Sequence, residues 1–139
     1  MSLENLARIG QLEVIEPDPV QIARLLSAAR RVLKDARTDG LEAETRFDIA
    51  YRAVMQVANL ALQASGFRTP TSRPGHHQTM IQTLSLTLGL NQALVVELDA
   101  LRKQRNAIDY NGDLVSDSVA DEVIRHAESL IKLAAEKCS

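Results

Sequence analysis

Tryptophan is absent from the 139-residue sequence, cysteine occurs once, and tyrosine and phenylalanine occur twice each. With aromatic residues at 3%, rings are too few for a base-stacking platform. The lone Cys138 has no partner for an internal disulfide, which agrees with a reducing compartment. No apolar run approaches the roughly 20 residues that a membrane span needs. The opening Met1-Ser2-Leu3-Glu4 lacks the basic start and apolar stretch of a signal peptide, so the expected location is the cytoplasm. A formal net charge of −2 and a pI near 5.9 argue against a DNA-coating protein, but leave room for a local basic pocket. No Gly-rich phosphate loop, Cys/His metal spacing or nucleophile elbow is found, so neither a metal nor an organic cofactor is expected.

Leucine, isoleucine, valine and alanine are what remains to build a core, and they favour close-packed helices. The length suits one domain that needs no disulfide or metal to fold. Residues 3–12 read as a short helix, followed by the breaker Glu16-Pro17-Asp18-Pro19. Asp18 is a good N-cap and Pro19 a good first helical residue, opening a helix that runs to about Arg37. A third helix over about 42–65 carries the unbroken stripe Phe47, Ala50, Tyr51, Val54, Val57, Ala58, Ala61, Leu62 and ends at Gly66. Residues 66–75 form the longest loop. Further helices are expected over 76–88, over 91–110 with Asn111-Gly112 as a stop, and from Ser116 onward. No segment shows the strand period. The expected fold is all-α, an antiparallel bundle of about five to six helices, with residues 1–16 as an N-terminal extension.

The helix over 91–110 carries the cluster Arg102, Arg105, Asn106, Asp109 and Tyr110. At about 100° per residue, Arg102, Arg105 and Asp109 all fall within about 40° of Leu98, the centre of its apolar stripe. A charge on a core-directed face is costly unless it is paired or reached by solvent. Arg105 and Asp109, four apart, can pair along the helix, so one reading is a snorkelling helix end held by its own ion pair. The other is that the end of this helix lines a polar cleft.

Other polar residues carry less. His76 and His77 are adjacent, point about 100° apart and cannot share a metal from one helix face, so they read as a helix start. His126 lies on the inward stripe of the last helix, either as a satisfied core histidine or facing the Arg105 cluster. Arg30, Arg31, Lys34 and Arg37 read as a solvated basic face.

The phrase Leu101-Arg102-Lys103-Gln104-Arg105-Asn106-Ala107-Ile108-Asp109-Tyr110, near the end of a penultimate helix, resembles the signature region of HEPN domains. Arg46-Phe47-Asp48-Ile49-Ala50-Tyr51-Arg52-Ala53 with Gly66-Phe67-Arg68 resembles their central helix and its exit. The resemblance covers roughly residues 20–135. It implies a small helical bundle that dimerises through its signature helices. It also implies either a toxin that cleaves RNA without a metal or a non-catalytic partner binding a nucleotide or a nucleotidyltransferase antitoxin. The family's catalytic signature is an arginine, commonly followed by a polar residue, with a histidine four to six residues on. Arg105 and Asn106 match its first half, while Asp109 and Tyr110 occupy the place of the histidine.

That departure matters chemically. Cleavage needs a group to take the 2′-hydroxyl proton, a group to protonate the leaving oxygen, and a cation for the phosphorane. Arg105 supplies the cation, but Asp109 beside it is a weak base that repels phosphate, and a phenol such as Tyr110 is a poor acid–base catalyst at neutral pH. The expected function is therefore a dimeric binding or assembly module of a toxin–antitoxin or nucleotidyltransferase-associated system. Arg102, Arg105 and His126 are its expected binding residues. The alternative is an endoribonuclease with an altered site, using Arg105, Asn106, Asp109 and Tyr110.

Overall fold

Helices begin and end where the sequence supplies caps and left-handed glycines. A computed structural model of the chain describes residues 1–72 and 74–138. Helix α1 spans Leu3–Arg8 and is capped by Ser2; it is shorter than expected because Gly10 turns the chain at φ 82°. Helix α2, Pro19–Ala36, starts with the Asp18 carboxylate accepting from the amides of Val20 and Gln21 at 3.0 and 3.4 Å. Such a cap stabilises by about 1 kcal/mol. Helix α3, Ala43–Ala64, ends at Gly66, whose φ of 90° no β-carbon-bearing residue adopts easily.

The expected helix over 76–88 is two pieces, α4 (His76–Gln82) and α5 (Leu84–Thr87). Thr83 lies between them, fully buried, its hydroxyl donating to the Met80 carbonyl at 2.8 Å. A hydroxyl that bonds back to its own helix competes with the ladder and bends it. Helix α6, Gln92–Asn111, is capped by Asn91 and closed by Gly112 at φ 70°. Helix α7, Asp117–Cys138, follows Ser116, whose hydroxyl accepts from the Val119 amide at 3.2 Å.

Helix α3 is the centre of an all-α bundle, packed most extensively against α2 and α7. Its whole predicted stripe is buried, as are Ala53, Met55 and Leu60. Small residues line the seams: Ala29 and Ala36 of α2 and Ala120, Ala127 and Ala134 of α7 are all fully buried. Such residues let helix axes approach closely, so the bundle packs densely with few aromatics. Helices α4 and α6 meet each other and cover another side of α3.

One element escaped the period analysis. Strand β1 (Glu13–Val14) pairs antiparallel with β2 (Phe67–Arg68), with Glu13 opposite Arg68. Leu12 is buried beside it, and Arg68 Nε donates to Glu13 Oε2 at 2.8 Å. The segment before α2 is thereby fixed to the loop that leaves α3.

Candidate functional site

Along α6 the buried residues are Val95, Leu98 and Leu101, and the face then turns charged. Arg102 closes on its own helix, its Nε 2.8 Å from Asp99 Oδ1. Arg105 reaches further. Its Nε donates to Asp48 Oδ1 of α3 at 3.1 Å, Nη2 lies 3.8 Å from Asp109, and the guanidinium sits 5.4 Å from the centroid of the Tyr51 ring. Burial pulls the Arg105 pKa down, but the hydrogen bond and charge of Asp48, with the charge of Asp109, outweigh it and leave it raised. The cation is permanent and held in place.

Beyond Arg105 the surface opens into a cleft of about 500 Å³ between α3, α4 and the loop after β2. Arg52 of α3, Arg68 of β2, and His76 and His77 of α4 line it, over a floor that includes Tyr51, Met55 and Met80. Asp48 is the one carboxylate among its described residues. The rings form a continuous row: His77 lies 4.6 Å from His76, edge to face, and 6.3 Å from Tyr51 between centroids. Desolvation lowers the His77 pKa, and the nearby charges of His76, Arg105 and Arg102 lower it further. Desolvation pushes the Tyr51 phenol up to about 12 against the opposing pull of Arg105 and Arg102. Its hydroxyl is therefore a neutral donor at any physiological pH. Both that hydroxyl and Gln56 Oε1 are buried without a hydrogen-bond partner among the described residues. Buried polar atoms are nearly always paired in native proteins, and two orphans in one cleft wall are unusual.

The HEPN-domain family model matches residues 22–138, from α2 through α7. The chain belongs to the HEPN family. No curated protein and no solved structure matches it. Within this HEPN fold the signature phrase lies on about the last three turns of α6, and Arg105 is the residue it contributes to the cleft.

The other expected site residues of the HEPN signature fall outside. Asp109 touches Arg105 from the exposed side of the helix. Asn106 is half-buried and does not line the cleft. Tyr110 is 84% exposed, about 140° around the helix from Arg105, and is kept out of the cleft. Arg102 stays with Asp99. His126 does not face Arg105: its Nε2 lies 3.0 Å from Glu97 and 3.8 Å from Glu122. Those three side chains are the one group of potential metal ligands among the described residues, with ligand atoms within 4.8 Å of one another. An imidazole hydrogen-bonded to Glu97 and close to Glu122 accounts for the arrangement as a contact between α6 and α7.

His76 and His77 do begin a helix, as their position suggests, and they also line the site. Arg52, Gln56, Asn59 and Gln63 were missed as well. Their spacing of four, three and four residues is a polar ribbon down one face of an otherwise buried helix, and the sequence displays it openly. Among the described residues no helix is long and apolar enough to cross a membrane.

Proposed function

We propose that this HEPN chain binds RNA in the Arg105 cleft, as a dimeric module of a toxin–antitoxin or nucleotidyltransferase-associated system in the cytoplasm. The carrying observation is the pair of unpartnered buried atoms, Tyr51 Oη and Gln56 Oε1, in an arginine-lined cleft. A phenol donor suits a phosphate oxygen, and a carboxamide oxygen suits a base amine or a ribose hydroxyl. Arg52 has no ion-pair partner among the described residues, and Arg105 is preset by Asp48. Arginine recognises phosphate through paired donors. Asp48 and Asp109 offset Arg105 and Glu13 offsets Arg68, so the positive charge open to a ligand centres on Arg52.

The test is fluorescence anisotropy with a labelled mixed-sequence RNA 20-mer. Arg105→Ala is expected to weaken binding about 10- to 100-fold, the loss of a hydrogen bond to a charged group being about 1.5–3 kcal/mol. Arg31→Ala, on the solvated face of α2, leaves binding unchanged. With about three phosphates engaged, log Kd should change with log salt at a slope of about 2. Equal affinity in wild type and Arg105→Ala removes the proposal.

Dimerisation through α6 is part of this reading. Val96 is 60% and Tyr110 84% exposed, and they fall within about 40° of each other around the helix. Light scattering at micromolar concentration should give twice the chain mass, with Val96→Asp shifting it to one. A wild-type monomer sinks this part and leaves the RNA reading standing. The endoribonuclease reading draws its own support from the two imidazoles in the same cleft.

A further inference from the structure

We propose that His77, brought by α4 from outside the signature helix, is the acid–base residue of RNA cleavage in this cleft. The inference rests on the RNA reading above and assigns the proton-transfer group that Asn106, Asp109 and Tyr110 do not provide. His77 lines the same cleft as Arg105 and is half-buried, with its ring beside Tyr51, over whose face the Arg105 guanidinium lies. A proton acceptor, a buried neutral donor and a fixed cation thus follow one another along one wall. Acid–base transfer and charge stabilisation are the two contributions that phosphodiester cleavage asks of a protein.

The lining also selects the substrate. Among its described residues it holds no cysteine, serine or lysine, and its threonines are alcohols that need a base of their own. Its single carboxylate, Asp48, is engaged with Arg105, where two-metal phosphodiesterases gather several. A phosphodiester that carries its own nucleophile fits such a site, and RNA does so through its 2′-hydroxyl. The 2′-oxygen attacks phosphorus while its proton passes to the free nitrogen of His77. The bond from phosphorus to the 5′-oxygen breaks, and that oxygen takes a proton from water. His77 returns its proton to the resulting hydroxide. The products are a 2′,3′-cyclic phosphate and a 5′-hydroxyl.

The charged and titratable groups facing His77 are His76 on its own helix, Asp48, Tyr51 and Arg52 of α3, Arg68 of β2, and Arg102 and Arg105 of α6. Desolvation, joined by the charges of His76, Arg105 and Arg102, holds the imidazole below its ordinary value near 6.5. His77 is therefore the free base at pH 7, and the rate should fall only as pH drops through that lowered value.

The experiment uses the full chain with total RNA of the expression host, the labelled RNA 20-mer, and its all-2′-deoxy counterpart, each with and without EDTA. Wild type is expected to cut RNA and spare the deoxy strand, to leave cyclic phosphate ends, to persist in EDTA, and to show an acid limb centred below pH 6.5. His77→Gln should lower the cleavage rate at least 100-fold, with anisotropy affinity within about threefold and an unchanged melting curve. His77→Ala serves as a second variant should the glutamine alter the fold. Binding without cleavage by wild type overturns this inference and leaves the RNA reading intact; absence of binding overturns both. Cleavage undiminished in His77→Gln, or abolished by EDTA, also overturns it.

Discussion

Replacing Tyr51 with phenylalanine should raise the melting temperature and at the same time weaken RNA binding. The hydroxyl is buried with no partner among the described residues, so the folded protein bears its desolvation without return. An unsatisfied buried polar group costs about 1–3 kcal/mol, and regaining about 1 kcal/mol in a domain of this size lifts Tm by about 3–5 °C. The phenylalanine ring keeps its place under Arg105, so the cation–π contact persists. Only the donor to the ligand is lost, which predicts a roughly tenfold weaker complex. Opposite signs in calorimetry and anisotropy are hard to obtain from a purely structural residue. If Tm falls and affinity holds, Tyr51 serves the fold and the cleft loses its central donor.

The largest effect on stability is expected from Phe47→Ala. Phe47 is fully buried on α3, the helix that α2 and α7 both pack against. Removing such a ring costs about 3–5 kcal/mol, the upper part applying where neighbours cannot close the void. The surrounding seams are built on alanines, which have no side-chain reach with which to fill it. Against a domain stability of about 5–15 kcal/mol, that is a large fraction. Urea unfolding should show a lower midpoint at unchanged slope, and Phe47→Leu should recover most of it. A loss below about 1 kcal/mol would mean that α3 is not the centre of the fold.

The sequence carried the helices because their signals are local. Asp18 with Pro19, Gly66, Asn111-Gly112 and Ser116 each act within one turn, and the α3 stripe needs nothing beyond its own period. Thr83 was unreadable because its effect depends on burial, which forces the hydroxyl back onto Met80. Strands of two residues are too short to display alternation. The site was legible only as Arg105. Its partner Asp48 lies 57 positions away, and pairing at that separation is decided by packing. His126 sits on the inward stripe as expected, but it meets α6 at Glu97. That is eight residues, about 12 Å of helix, before Arg105. The adjacent histidines, expected to point about 100° apart, instead hold their ring centroids 4.6 Å from each other, and a cleft closing from α3 and α6 embraces both.

The strand pair has a consequence for where the working unit ends. Arg68, on the rim of the cleft, is steadied by Glu13, in a segment that precedes the family match at residue 22. The bundle and the cleft therefore have different borders. A protein trimmed to residues 22–138 would lose the buried Leu12 and the Asp18 cap of α2, and would release Arg68 to swing freely. Conversely, anything that grips the first sixteen residues acquires a handle on the cleft without touching a helix that lines it.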